Sequence, residues 1–302
     1  MSLVDKIRHL LTDPPPEFVF EFSETGIAWV QHGKTLASGF QPLEPGVMAI
    51  SPVKDNVLKP ELLEQAVMRI VPEDRRRRPC AIILPDYCAR VAVLDFDSFP
   101  SEPAEQLSLV RFRVKKSVPF DLDAANVSFH VQPAASGRKK RDVVVAVVSL
   151  EILARYEAPL RVSGLHPGLV TISALSALNM VQPSGLEIVA KLSGSALTVA
   201  VVDQNALRMY RCVELDQLTA EAVLAILYPT YAYIEDEFKK KPERLLLCGF
   251  GSFGEVIAPG LEAELGTTVE PLRSALGTIG TSNAGLLGYL AGTGVASLEV
   301  AA

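Results

Sequence analysis

Apolar and polar positions along the 302-residue chain repeat one plan twice. In the stretch "FVFEFSETGIAWVQHGKTLASGF" (18–40), short apolar runs alternate with small-residue and polar turns, which predicts three consecutive strands. The stretch "IVAKLSGSALTVAVVDQNALRMYRC" (188–212) has the same order: strand, small-residue turn, strand, polar turn, strand. Each meander is followed by a helical apolar spacing, "KPELLEQAVMRIV" (59–71) in the first half and "TAEAVLAILYPTYAYIEDEF" (219–238) in the second. Duplicated meanders of this kind predict two related lobes facing a cleft.

Between the repeats, residues 80–165 predict an extra αβ segment. Its pattern is strand "CAIILP", strand "ARVAVLDF", helix "EPAEQLSLVRFRVKKSV", strand "NVSFHVQP", strand "DVVVAVVS" and helix "EILARYEAPLRVSG". The long helix has a start signal at Ser101, Glu102 and Pro103 and must end before Pro119, where proline disfavours helix in the residue ahead of it. Near the end, "RLLLCGFGSFGEVIAPGLEAEL" (244–265) predicts a buried strand, a glycine-rich turn and a helix. At the start, Leu3, Val4, Ile7, Leu10 and Leu11 give "MSLVDKIRHLL" one apolar helical face, and "DPPP" stops it. Packing on the protein's own body is the favoured fate of that face, since peripheral membrane helices carry a more basic polar side.

Composition narrows the function. With 49% hydrophobic residues the chain can bury a substantial core, and a net charge of −6 argues against a nucleic-acid binder, which needs a basic surplus. The basic runs RRRR (75–78) and RKKR (138–141) read as solvated loops, with an acidic partner or anionic lipid as the alternative. Cys80, Cys88, Cys212 and Cys248 lie in or beside apolar strands without metal-ligand spacing, and the four histidines are scattered, so no metal site is expected. The N-terminus lacks the regions of a secretory signal, and the apolar run VVVAVV (143–148) is far too short for a membrane span. The expectation is a reduced, cytoplasmic protein. Catalytic residues are not evident: Glu235, Asp236 and Glu237 beside Lys239, Lys240 and Lys241 read as a solvated helix end, and Lys191 beside Ser193 and Ser195 has no nucleophile elbow.

The order of motifs in "ILPDYCARVAVLDFDSFPSEPAEQLSLVRFRVKKSVPFDLDAANVSFHVQ" (83–132) and "DVVVAVVSLEILARYEAPLRVSGLHPGLV" (142–170) resembles the PilM family of type IV pilus assembly. The matching features are Leu84-Pro85, a strand ended by Pro100, a helix closing on "VPFD" (118–121), and the run into "SGLHPGLV" (163–170). The resemblance implies an α/β, actin-like (ribonuclease H-like) two-lobed fold with an inserted αβ subdomain in the first lobe, related to the cell-division protein FtsA. The expected divisions are an N-terminal helix and proline linker at 1–16, a first lobe at 17–79, the inserted subdomain at 80–165, and a first-lobe return with the second lobe at 166–302.

In that family the two hairpin turns and a third glycine-rich turn hold a magnesium nucleotide, with aspartates positioning the hydrated metal. Here the first hairpin has Glu21 in the acid's place, Ser23 for the usual glycine, and Glu24 adding negative charge, with Gly26 the one glycine of the turn. The second has Lys191 in place of the acid, followed by Ser193 and Gly194. The third turn, with Gly249, Gly251 and Gly254, is nearly intact, although glycines between a strand and a helix often serve packing. The reading is a degenerate cleft and a pseudo-ATPase with no cofactor expected, residual ATP binding being the disfavoured alternative. Because Glu21 and Lys191 occupy equivalent positions, the expectation is that they face each other as a direct or water-bridged ion pair that closes the cleft, the alternative being a lysine that snorkels to solvent.

The resemblance further implies a scaffold at the inner face of the cytoplasmic membrane. It would bind the N-terminal tail of a PilN-like membrane protein, associate with the membrane through that partner, and communicate with pilus motor ATPases. Residues considered for the tail groove are Leu84, Pro85, Val91, Val93, Phe112, Val118 and Phe120. Ordinary subdomain core is the competing reading for each. Two other functions stand beside this one: an active actin-like ATPase, and a GspL-like cytoplasmic component of a type II secretion system.

Overall fold

The computed structural model describes residues 16–33, 36–72, 76–133, 140–182 and 185–293. The predicted helix over 1–11 lies outside them. Strands β1 (Phe18–Ser23), β2 (Gly26–Gln31) and β3 (Ala37–Pro42) form the first meander, followed by helix α1 (Pro60–Ile70) and strand β4 (Arg78–Leu84). Next come β5 (Arg90–Phe96), α2 (Pro103–Val114), β6 (Ala125–Val131), β7 (Arg141–Ser149), α3 (Leu150–Val162), β8 (Leu165–Ile172) and α4 (Ser173–Ala177). The second half comprises β9 (Leu186–Ser193), β10 (Ala196–Asp203), β11 (Ala206–Glu214), α5 (Ala220–Phe238), β12 (Arg244–Cys248), α6 (Gly251–Leu265), β13 (Thr268–Pro271) and α7 (Ala284–Gly292).

The duplicated sequence plan becomes a duplicated topology. One sheet has the order β3-β2-β1-β4-β8 and the other β11-β10-β9-β12-β13, each an antiparallel meander extended by two parallel strands. In both, the first strand of the meander is central and buried on both faces, which explains the nearly unbroken apolar runs. On one face of the first sheet Phe18, Phe20 and Phe22 stack along β1 and meet Tyr156 of α3, with Leu63 and Val67 of α1 in the same core. On the other face Val19, Ala28, Val30 and Ile83 receive Leu286, Leu287 and Leu290 of α7. The second lobe repeats this with Leu197 and Val199 against Val223 and Leu227 of α5 and Ile257 of α6.

The third sheet, β5-β7-β6, is separate and shorter, and with α2 it forms its own small core around Phe96, Val110, Val114 and Val145. Its limits differ from the expected 80–165. β4 pairs in parallel with β1 and so belongs to the first lobe, and α3 packs with α1 on that lobe's sheet. The separate unit therefore runs from β5 to β7, and α2 stops at Val114, well before Pro119. The expectation of a solvated basic loop at 75–78 also fails at its last residue. Arg78 is buried in β4, with its guanidinium over the Phe18 ring and donating to the Pro72 carbonyl.

Candidate functional site: the cleft between the lobes

The two hairpins that flank the cleft are in matching register. Ser23 pairs with Gly26 and Glu21 with Ala28 in the first, while Ser193 pairs with Ala196 and Lys191 with Thr198 in the second. Glu21 and Lys191 thus occupy equivalent places, each two residues before the strand end. Neighbouring strands supply the cleft floor, since Glu21 lies beside Ile83 of β4 and Lys191 beside Cys248 of β12.

The expected ion pair between them is replaced by another. The Lys191 ammonium reaches Oδ2 of Asp86 at 2.7 Å, with both side chains buried, and the other Asp86 oxygen accepts from the Ala174 N–H at 2.6 Å. Asp86 follows Leu84-Pro85 at the end of a buried strand, where a parallel sheet presents side chains to its crevice. That carboxylate is one residue past the quoted motif and was the functional residue that sequence reasoning missed. Burial works most strongly against the Lys191 ammonium, but Asp86 and Glu21 together outweigh it, so the lysine pKa stands above its ordinary value.

Glu21 is occupied differently. Its carboxylate accepts from the Ser173 hydroxyl and from the backbone N–H groups of Gly285 (3.1 Å) and Leu286 (2.7 Å), the first turn of α7. A carboxylate at a helix N-terminus satisfies donors that have no intrahelical partner and complements the helix dipole. The acid kept in the first hairpin therefore anchors a helix. Burial pushes its pKa up, opposed by Lys191, Ser173 and the two N–H groups.

Above this floor lies a hollow of about 260 Å³ lined by both hairpin turns, Pro85, Asp86, Gly249 and Ser282. Glu24 extends across its mouth: Oε1 accepts from Ile50 N–H at 3.1 Å, and Oε2 stands 3.0 Å from the point that a Cβ on Gly194 would occupy. A protein carboxylate thus lies between the two turns. Ser23 is engaged within its own turn, donating to the Gly26 carbonyl, and Thr25 meets Ser282 at 2.9 Å. The third turn borders a wider hollow of about 750 Å³ through Gly249, Gly251 and Gly254. Gly249 has a packing reason to be glycine: its φ is +74° and a Cβ there would fall 2.5 Å from the Leu192 carbonyl. Among the described residues no cluster of potential metal ligands is present.

The residues considered for a tail groove do not come together. Leu84 is in the first-lobe core and Pro85 lines the cleft. Val91 and Val93 pack against the second lobe, in a cluster with Ala200, Tyr210 and Cys212. Val118 and Phe120 support the small core of the third sheet, whereas Phe112 points outward with 75% of its surface exposed.

This arrangement of two like-ordered sheets, a cleft between their hairpins and a small third sheet is matched by the structure described as the "PilM-PilN type IV pilus biogenesis complex", with 18% identity over 86% of this chain and 89% of that one, at a TM-score of 0.65. The chain has a PilM-like fold. Lower likenesses are to a Bacteroides thetaiotaomicron protein with an actin-like ATPase fold (11% identity, 84% and 89% covered, TM-score 0.49) and to the cytoplasmic domain of EpsL of the Vibrio cholerae type II secretion system (15%, 76% and 80%, 0.44). No protein-family model matches the chain, and no curated protein matches it. Within the PilM-like fold, β8 is an end strand of the first sheet, with β4 its one strand neighbour among the described residues. Gly168, Leu169 and Val170 of that strand are exposed, as is Leu150 at the start of α3.

Proposed function

We propose that this chain is a PilM-like scaffold of type IV pilus assembly that captures the extended tail of a PilN-like membrane protein on the free edge of β8. The carrying observation is the apolar edge itself. Leu169 and Val170 are 44% and 37% exposed on an end strand whose outer side meets no other strand among the described residues, a surface that proteins usually cover. An incoming strand would pair along that side and bury the two side chains. Membrane attachment then comes through the partner, on the cytoplasmic side; no helix among the described residues is long and apolar enough to cross a membrane.

The cleft serves as a fastener in this reading. Lys191 stands where magnesium chemistry needs an acid, Asp86 neutralises it, and Glu24 places a negative charge in the mouth. Pseudo-ATPase behaviour follows.

Fluorescence anisotropy with a labelled PilN-like tail peptide tests the docking edge. Leu169→Asp should weaken binding at least tenfold, because a strand laid over it would bury an unpaired carboxylate. Leu169 is exposed, so the variant keeps its fold, unlike a change at Val91, which sits in an interface. Unchanged affinity in folded Leu169→Asp would move the tail elsewhere.

A further inference from the structure

Helix α2 of the third sheet's subdomain turns the wrong kind of side chain to water. Val110 and Val114 are its buried residues, and at 100° per residue Phe112 lies roughly 160° around the helix from both. Its 75% exposure follows from that geometry, so no packing requirement explains a phenylalanine there. Lys115, the C-cap with right-handed helical backbone, and Lys116, in the turn just beyond it, follow Phe112 three and four residues on. Both are exposed, and neither forms an ion pair among the described residues. The neighbouring charges are already matched: Arg111 pairs with Asp123 at 2.7 Å, and Asp95 takes both Arg113 and Lys140. Asp121 turns its carboxylate to the Asp123 N–H. Glu102 and Glu105 lie at the opposite, N-terminal end. Lysines near a helix C-terminus complement its dipole, but that does not account for an exposed aromatic ring on the last turn before them.

We propose that the C-terminal end of α2 and the turn that follows it form a direct docking surface for anionic lipid, with Phe112 entering the headgroup boundary while Lys115 and Lys116 meet lipid phosphates. The charge is complementary and local, on a chain whose net charge is −6 and which would otherwise be repelled by such a surface. An exposed apolar ring followed by lysines is the chemistry of interfacial binding. This contact is independent of the β8 edge and would orient a scaffold that a membrane partner already tethers.

The full-length protein, without any tail peptide, is sedimented with vesicles of phosphatidylcholine alone or with one quarter phosphatidylglycerol. Binding is expected only to the anionic vesicles and should weaken as salt is raised. Lys115→Gln with Lys116→Gln should reduce the partition about 30-fold, taking about 1 kcal/mol for each basic residue at such a surface. Phe112→Ala should reduce it about fivefold to tenfold through lost apolar burial. All three positions are exposed, so these variants fold. No binding to anionic vesicles overturns the proposal and leaves an acidic protein as the partner for this face. Equal binding to both vesicle types, or binding that the substitutions leave unchanged, overturns it as well.

Discussion

Replacing Lys191 by methionine removes one half of a buried pair that joins the lobes. The Asp86 carboxylate would keep the Ala174 N–H but lose its counter-charge in a site shielded from water. Breaking a buried pair from one side costs about 3–5 kcal/mol, most of it the penalty for the stranded charge. With an unfolding entropy of about 2.1 cal/mol/K per residue, 302 residues give roughly 0.6 kcal/mol/K, so the melting temperature should fall by about 5–8 °C if the chain melts as one unit. Asp86→Asn alone should cost a similar amount, because it strands the ammonium. The double variant Lys191→Met/Asp86→Asn removes both charges and keeps an oxygen for Ala174 N–H, so it should lie within about 1–2 kcal/mol of the parent. Calorimetric melting of all four proteins gives the coupling directly. Pair-driven stability would be refuted by a single-variant shift below about 2 °C, or by a double variant that loses the sum of the two singles. The pH dependence has a definite sign. The folded lysine pKa is raised, so the lysine's contribution to stability is fully present below its unfolded value of about 10.4 and is lost as pH rises through the higher folded value.

Two further outcomes follow from the cleft and its supports. Titration of Mg-ATP into the protein should give little heat, since Glu24 crosses the mouth and Asp86 already holds Lys191; low-micromolar affinity, about −8 kcal/mol, would refute the pseudo-ATPase reading. Gly288→Ala should destabilise by about 3 kcal/mol in denaturant melts, because its Cβ would lie 2.1 Å from the Ser176 carbonyl and push α7 off α4, whereas Gly260→Ala, with open space around it in α6, should stabilise by about 0.5–1 kcal/mol.

The duplicated fold was legible because each central strand is apolar on both faces and each turn is marked by small residues, signals that need no tertiary information. The helix at 59–71 and the one at 219–238 were legible through their buried stripes, Leu63, Val67 and Ile70 in one and Val223, Leu227 and Ile234 in the other. β8 was not, since Pro167-Gly168 reads as a loop. Its pairing with β4 accommodates those residues by a bulge, in which Pro167 faces Cys80 and Leu169 faces Ala81. In the cleft, the sequence identified the odd lysine but not its partner. Two equivalent positions in a duplicated fold need not touch, and the acid that meets Lys191 comes from a turn outside the repeat. The apolar residues Val91 and Val93 misled for a related reason: alternation reveals that a strand has a buried face, not which neighbour buries it.

The side-chain amide of Gln132 exchanges two 2.7 Å hydrogen bonds with the backbone of Leu207, and Asp142 pairs with Arg208 beside it. These ties fasten the small third sheet to the second lobe, while the chain itself fastens it to the first, and Asp86 with Lys191 closes the remaining side. The three bodies are braced like a triangulated truss, in which no joint can rotate unless another lengthens. A two-lobed protein with one connection is a hinge; with this brace it is a girder. A strand seated on β8 would therefore pull on the whole frame at once, and load applied there would pass through all three bodies without being absorbed by a swinging lobe.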